Sequence, residues 1–174
     1  MKRYCFENFK SKEKYEEFID YMLSNSDYFS LVYFKYKSKE KYTDTVSEIR
    51  DLLRYYKISA YKSNNMPSMI TWNMNNHIYE TVIYKADIGA KTALLKVNDI
   101  FDWDYPKYPM DLCFFKDGYA WVITSAHEKG ALIYTDNNKE IRILKKMGFE
   151  ISFFGEADNT ISGKTKDGKL CWYN

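Results

Sequence analysis

Apolar positions change their spacing several times along this chain, and each spacing predicts an element. After Ser11, the residues Tyr15, Phe18, Ile19, Met22 and Leu23 recur at i, i+3, i+4, i+7 and i+8. That period belongs to a helix with one buried stripe, expected over 12–24. Ser11 can cap it by accepting a backbone N–H, and Glu13, Glu16 and Glu17 suit the positive end of its dipole. Residues 28–37 are rich in β-branched and aromatic side chains and read as a strand. Both faces are apolar over 29–34, which places that strand centrally in a sheet. A second helical stripe, Val46, Ile49, Leu52, Leu53 and Tyr56, predicts a helix over 44–57. Thr45 and Glu48 have capping-box spacing, and a start near Glu40 fits equally.

Asn64, Asn65 and Pro67 mark a loop, 69–72 a short strand, and Asn73, Asn75 and Asn76 a turn. Residues 77–86 alternate as a strand. Ala93, Leu94, Val97, Ile100 and Phe101 predict a third helix over 90–101. From Asp111 the pattern becomes a meander, with strands at 112–115, 119–125 and 131–135. Asp117-Gly118 supplies positive φ for a tight turn between the first two. Asp136 can cap a fourth helix over 137–147, and Gly148 suits its left-handed stop. Strands at 149–154 and 170–173, with a Lys166-Asp167-Gly168 turn between them, close the chain. Helices interspersed with hairpins predict one α+β domain over 1–174, with a mainly antiparallel sheet and about four helices. Leu112, Phe114, Val122 and Ile133 are its expected core positions in the meander.

Composition narrows the function classes. A chain of 174 residues suits a single core. Hydrophobic residues at 45% and charged residues at 29% argue for a globular protein. Lys plus Arg is 26 and Asp plus Glu is 24, so a net charge of +2 makes neither nucleic acid nor an anionic membrane the expected partner. The arginines are Arg3, Arg50, Arg54 and Arg142, too few for direct base readout. The 17 tyrosines leave single-strand stacking open, but half-buried strands also use Tyr. Cys5, Cys113 and Cys171 are widely spaced with no CxxC, which predicts reduced thiols, a cytoplasmic location and no metal. No apolar run reaches bilayer-spanning length, and no apolar segment follows the basic start.

Candidate chemistry is sparse. His127 precedes Glu128, but the position four residues after His127 is Ala131, so a metalloprotease helix is excluded. Ser125 lies in no GxSxG elbow. At a strand end, His127 is expected to bond loop carbonyls and Glu128 to pair with a lysine. His77 is read as structural. Asp99, Asp102, Asp104 and Asp111 lack the glycine and bidentate glutamate of a calcium loop and read as an acidic loop. No phosphate loop is present, and no cofactor is expected. In the loop 103–109, Trp103, Tyr105 and Tyr108 stand among two prolines. They either cover the sheet edge or form a recognition surface with Asp102 and Asp104, since Trp and Tyr anchor interfaces.

Phe101-Asp102-Trp103, Tyr105-Pro106-Lys107-Tyr108-Pro109, Asp111-Leu112-Cys113-Phe114-Phe115 and Ser125-Ala126-His127-Glu128 together resemble a family of small Bacillota proteins. That family shares a Trp, a PxxP step, an Asp-Leu-x-Phe strand and a closing Ser-x-His-Glu. Its members lie beside secreted polymorphic toxins and are treated as immunity proteins. Met110 stands where the family has Glu, and Trp72-Asn73-Met74 where it often has Trp-Pro-Gly. The resemblance implies a non-catalytic binding protein with a toxin as partner, and no catalytic residues. Two function classes follow. One is an immunity protein that occludes a toxin. The other is a small-ligand or nucleotide-sequestering protein, which would need a concave aromatic pocket with basic donors. An enzyme using His127 ranks behind both.

Overall fold

A computed structural model describes residues 1–6, 11–35, 41–63, 78–156, 164–166 and 169–171. The elements run β1 (Lys2–Phe6), α1 (Lys12–Asn25), β2 (Tyr28–Lys35), α2 (Asp44–Leu52), β3 (Lys57–Ser63), β4 (Ile78–Lys85), α3 (Lys91–Leu94), β5 (Met110–Lys116), β6 (Tyr119–Ser125), β7 (Gly130–Tyr134), α4 (Asn138–Lys146), β8 (Ile151–Glu156), β9 (Lys164–Lys166) and β10 (Lys169–Cys171). The strands form one sheet in the order β3-β4-β2-β5-β6-β7-β1-β8, and every pairing is antiparallel. β9 pairs with β10 and touches β6 at Tyr119. The α+β fold and mainly antiparallel sheet expected from the pattern are what the chain adopts. The expected loop at Asn64 to Pro67, the strand 69–72, the turn at Asn73 to Asn76, His77 and the Asp167-Gly168 turn lie outside the described residues.

Helix ends follow local chemistry. Ser11 caps α1 by accepting from the Lys14 N–H at 3.3 Å, and Tyr15, Phe18, Ile19, Met22 and Leu23 are all buried. α2 starts earlier than Thr45. Thr43 caps it by accepting the Val46 N–H, and the helix gives way after Leu52 to a 3₁₀ turn over Arg54–Tyr56. Asn137, one residue past the expected Asp136, caps α4. Asp136 instead accepts from the Lys2 N–H. Gly148, at φ +91°, ends α4 in a Schellman turn: its N–H reaches the Lys145 carbonyl and the Phe149 N–H reaches Leu144.

The expected helix over 90–101 is broken into three short turns: a 3₁₀ turn over Ile88–Ala90, α3, and a 3₁₀ turn over Ile100–Asp102. The apolar stripe still faces the core: Ala93, Leu94, Val97 and Ile100 are buried, and Phe101 is half-buried against them. The backbone is interrupted because side chains offer it other partners. Asp99 accepts the Phe101 N–H at 2.9 Å, and Asp102 accepts from the Asn98 and Asp99 N–H groups.

α1, α2, α3 and α4 send their buried residues into one cluster with one sheet face, which includes Phe29, Leu112, Phe114, Val122 and Ile133. The opposite face is also buried, around Ile83, Cys113, Phe115, Ile123, Leu132 and Tyr134. Among the described residues no helix is long and apolar enough to cross a membrane. The hairpin β5–β6 turns at Asp117 and Gly118, both at positive φ, as the Asp-Gly pair predicts. The other end of that hairpin carries the loops 103–109 and 126–129, which lead into β5 and out of β6. These two loops hold the motif residues.

Candidate functional site

Of the two readings the sequence leaves for Trp103, sheet-edge cover and recognition surface, the second fails: the residue lies in the core, at 0% exposure. Its indole N–H donates to the Tyr15 hydroxyl at 2.9 Å, and that hydroxyl donates to the Leu94 carbonyl at 3.0 Å. Burial raises the Tyr15 phenol well above its ordinary value, so it stays neutral and able to donate. The relay ties the loop 103–109 to α1 and α3. A buried tryptophan needs such an acceptor for its N–H, and a residue 88 positions away in sequence supplies it.

The rest of that loop is braced by its own backbone and side chains. The Tyr105 N–H donates to the Asp104 carboxylate at 2.9 Å, and the Tyr108 N–H to the Asp104 carbonyl at 3.0 Å. The Tyr105–Pro106 peptide is cis. The Tyr108 hydroxyl reaches the Lys96 carbonyl, and its ring meets Trp103 edge-on. Tyr105 packs edge-on against Phe34 at 4.7 Å between centroids. Tyr105, Tyr108 and Asp104 are half-buried, while Asp102, Lys107 and Pro106 are exposed.

Asp111 joins the two loops. Its N–H donates to the Trp103 carbonyl at 3.1 Å, and its carboxylate accepts the Ala126 N–H at 2.8 Å. It is buried and sits at φ +52°, in the left-handed region that Asp enters more readily than most residues. Its second carboxylate oxygen, Oδ2, is buried with no hydrogen-bond partner among the described residues. Burial pushes this carboxyl up to about 7; the Ala126 N–H opposes the rise and the nearby Asp104 charge adds to it. A strained, buried carboxyl at a loop junction is a device for fixing geometry.

His127 was expected to bond loop carbonyls at a buried strand end. Its side chain is instead 78% exposed, and its Nδ1 lies 3.8 Å from Asp104 Oδ2, beyond hydrogen-bond length. The bond that closes this junction comes one residue earlier, from the Ala126 backbone. Glu128 is also exposed, and it pairs with no lysine among the described residues. Thus the structure brings Asp104, Asp111 and His127 to one end of the hairpin. It separates Trp103, which is internal, from Asp102, Tyr105, Tyr108 and Glu128 at the periphery. Among the described residues no group of three or more His, Cys, Asp or Glu side chains is placed to hold a metal.

A pocket lies on the opposite flank of the loop 103–109, and the pattern of the sequence did not predict it. Tyr33 and Phe34 of β2, Tyr42, Thr43 and Val46 at the start of α2, and the loop itself line a space of about 70 Å³. Behind it Arg50 donates to Glu80 at 2.7 Å, with the Tyr42 hydroxyl on the same glutamate oxygen. The Tyr33 and Tyr84 hydroxyls share a hydrogen bond of 2.7 Å. Burial pushes the Tyr42 and Tyr84 phenols up to about 12, so both stay protonated at neutral pH. The Arg50 partnership outweighs burial and lowers Glu80 below the usual carboxylate range. The excess of tyrosine was the only sequence signal for this network, because its members come from three elements far apart in the chain.

No protein-family model matches the chain, and neither a curated protein nor a solved structure matches it significantly.

Proposed function

We propose that this chain is a non-catalytic binding protein that neutralises a bacterial toxin by occluding it. Contact is made through the face built by the loops 103–109 and 126–129. The observation that carries this reading is the Asp111 junction. It makes one rigid unit of two loops that present Asp102, Asp104, His127 and Glu128 outward. Rigid presentation lowers the ordering entropy that an interface must overcome.

The chemistry around His127 favours binding over catalysis. A general base needs a partner within hydrogen-bond reach and a concave setting. His127 stands exposed beside Asp104, and the neighbouring Ser125 is buried. The sequestration alternative is disfavoured by size. Small-molecule sites run to about 300–1,000 Å³, and the aromatic pocket offers about 70 Å³. The larger open hollow along α2, about 570 Å³, carries Asp44, Glu48 and Asp51 against the single basic donor Arg54, a poor match for an anionic ligand.

The test is to look for a toxin-domain gene beside this one and to co-express the two; a neighbourhood that encodes no toxin domain would overturn the reading. The wild-type chain should restore growth. Asp104→Lys and His127→Glu should weaken toxin affinity by about tenfold or more each; His127→Glu should leave the melting temperature unchanged, while Asp104→Lys also removes the acceptor of the Tyr105 N–H. Undiminished protection by both variants would overturn this surface. Calorimetric binding of a nucleotide at micromolar affinity, with no protection from the toxin, would replace the reading by sequestration.

A further inference from the structure

We propose that the pocket under the loop 103–109 receives one small aliphatic side chain of the protein partner, presented next to a carboxylate. This rests on the binding reading above and specifies what the partner must carry.

The size comes first. The space of about 70 Å³ is about half of the ~150 Å³ cavity that holds a benzene ring. That suits Val or Pro and excludes an aromatic ring. Val46, Phe34 and Pro109 give the walls apolar faces, and Lys41, Thr43 and the tyrosines add polar groups beside them. An aliphatic group entering them exchanges water for close packing.

The charge follows from what already occupies the rings. Aromatic walls ordinarily favour a cation. Here the Arg50 guanidinium sits 4.7 Å from the Tyr33 ring centre and 5.0 Å from that of Tyr42, so these rings already serve a cation. Glu80, the nearest carboxylate of this network, is taken up by Arg50 and Tyr42. Lys41 lines the pocket and has no ion-pair partner among the described residues. Lys107 is exposed between two lining residues, Pro106 and Tyr108. No described lining residue is acidic. A second cation entering here meets three positive groups, whereas a carboxylate at the rim meets two lysines that no described acidic side chain pairs, Lys107 lying over the Tyr108 ring at 5.1 Å.

The experiment titrates the full ¹⁵N-labelled chain with three probes of one shape: N-acetyl-valine, N-acetyl-valinamide and cationic valinamide. N-acetyl-valine should shift the amides of Phe34, Tyr42 and Tyr105 with millimolar affinity. The neutral probe should bind about threefold more weakly or worse, and the cation should leave these amides unmoved. Lys41→Glu, a change at an exposed residue, should erase the preference for the acid. Silence at these amides with all three probes would overturn the proposal, as would equal binding of acid and cation. The toxin assay separates this failure from failure of the wider reading. If Lys41→Glu protects fully while Asp104→Lys does not, the loop surface stands without the pocket. If the chain gives no protection but N-acetyl-valine binds as stated, the pocket stands and the toxin reading falls.

Discussion

The Asp111 carboxylate accepts the Ala126 backbone N–H at 2.8 Å and so welds the entry of β5 to the exit of β6. Fifteen residues separate the two in sequence. Because one oxygen of this buried carboxyl has no partner, its protonation state is coupled to folding.

The first prediction concerns pH. The Asp111 carboxyl is pushed up to about 7 in the fold, against an ordinary value of 3.8. Between these values the folded chain holds a proton that the unfolded chain has released. Stability from this group therefore falls as pH rises from about 4 to about 7 and is level above that. At about 1.36 kcal/mol per unit the loss is on the order of 4 kcal/mol. Asp111→Asn keeps an acceptor for Ala126 and tolerates the left-handed backbone. Urea denaturation should find it close to wild type at pH 4 and more stable than wild type at pH 8. An equal difference at both pH values would contradict this.

Trp103 should behave as a core residue. Trp103→Ala should cost about 3–5 kcal/mol in urea unfolding. Trp103→Phe should retain most of the packing but leave the Tyr15 oxygen without its donor, at about 1–3 kcal/mol. A loss below about 0.5 kcal/mol for Trp103→Ala would restore the surface role that its sequence context suggests.

His127→Ala should leave the melting temperature within about 1 °C, because an exposed side chain with no hydrogen bond seldom contributes more than about 0.5 kcal/mol. Any loss should be in partner affinity. A large drop in melting temperature would return His127 to the structural role expected from its place after a buried strand.

Leu112→Ala tests the sheet register. Leu112 is fully buried beside Phe114 and Val122 on the helix-covered face. Removing it should cost about 2–5 kcal/mol in denaturant unfolding, and an unchanged melt would refute this packing.

What the sequence determined by itself was local. The stripe of α1, the Asp-Gly turn of β5–β6, the glycine stop of α4 and the strands of the meander depend on spacing or on one residue's backbone freedom. These were legible, and together they implied an α+β fold with an antiparallel sheet. β1 and β3 were not read, because short, weakly alternating runs become strands only when neighbours supply the ladder. β1 lies between β7 and β8, more than 120 residues away in sequence. The bulge in β6 was equally hidden. Phe114 pairs with Val122 and Phe115 with Ala120, so the intervening Trp121 is an extra residue that turns into the same cluster as Val122. At the site, the sequence named Trp103, Asp104, Asp111 and His127, but it left Trp103 open between covering the sheet edge and a recognition surface and put His127 on the wrong side of the surface. Exposure depends on partners that folding brings up: Tyr15 supplies the acceptor that lets an indole N–H be buried, and the Ala126 N–H closes the junction on the Asp111 carboxylate, which leaves His127 outside. Hydrogen-bond demand is written in the residue types. Which atom satisfies it is decided only when the chain has folded and brought that atom within about 3 Å.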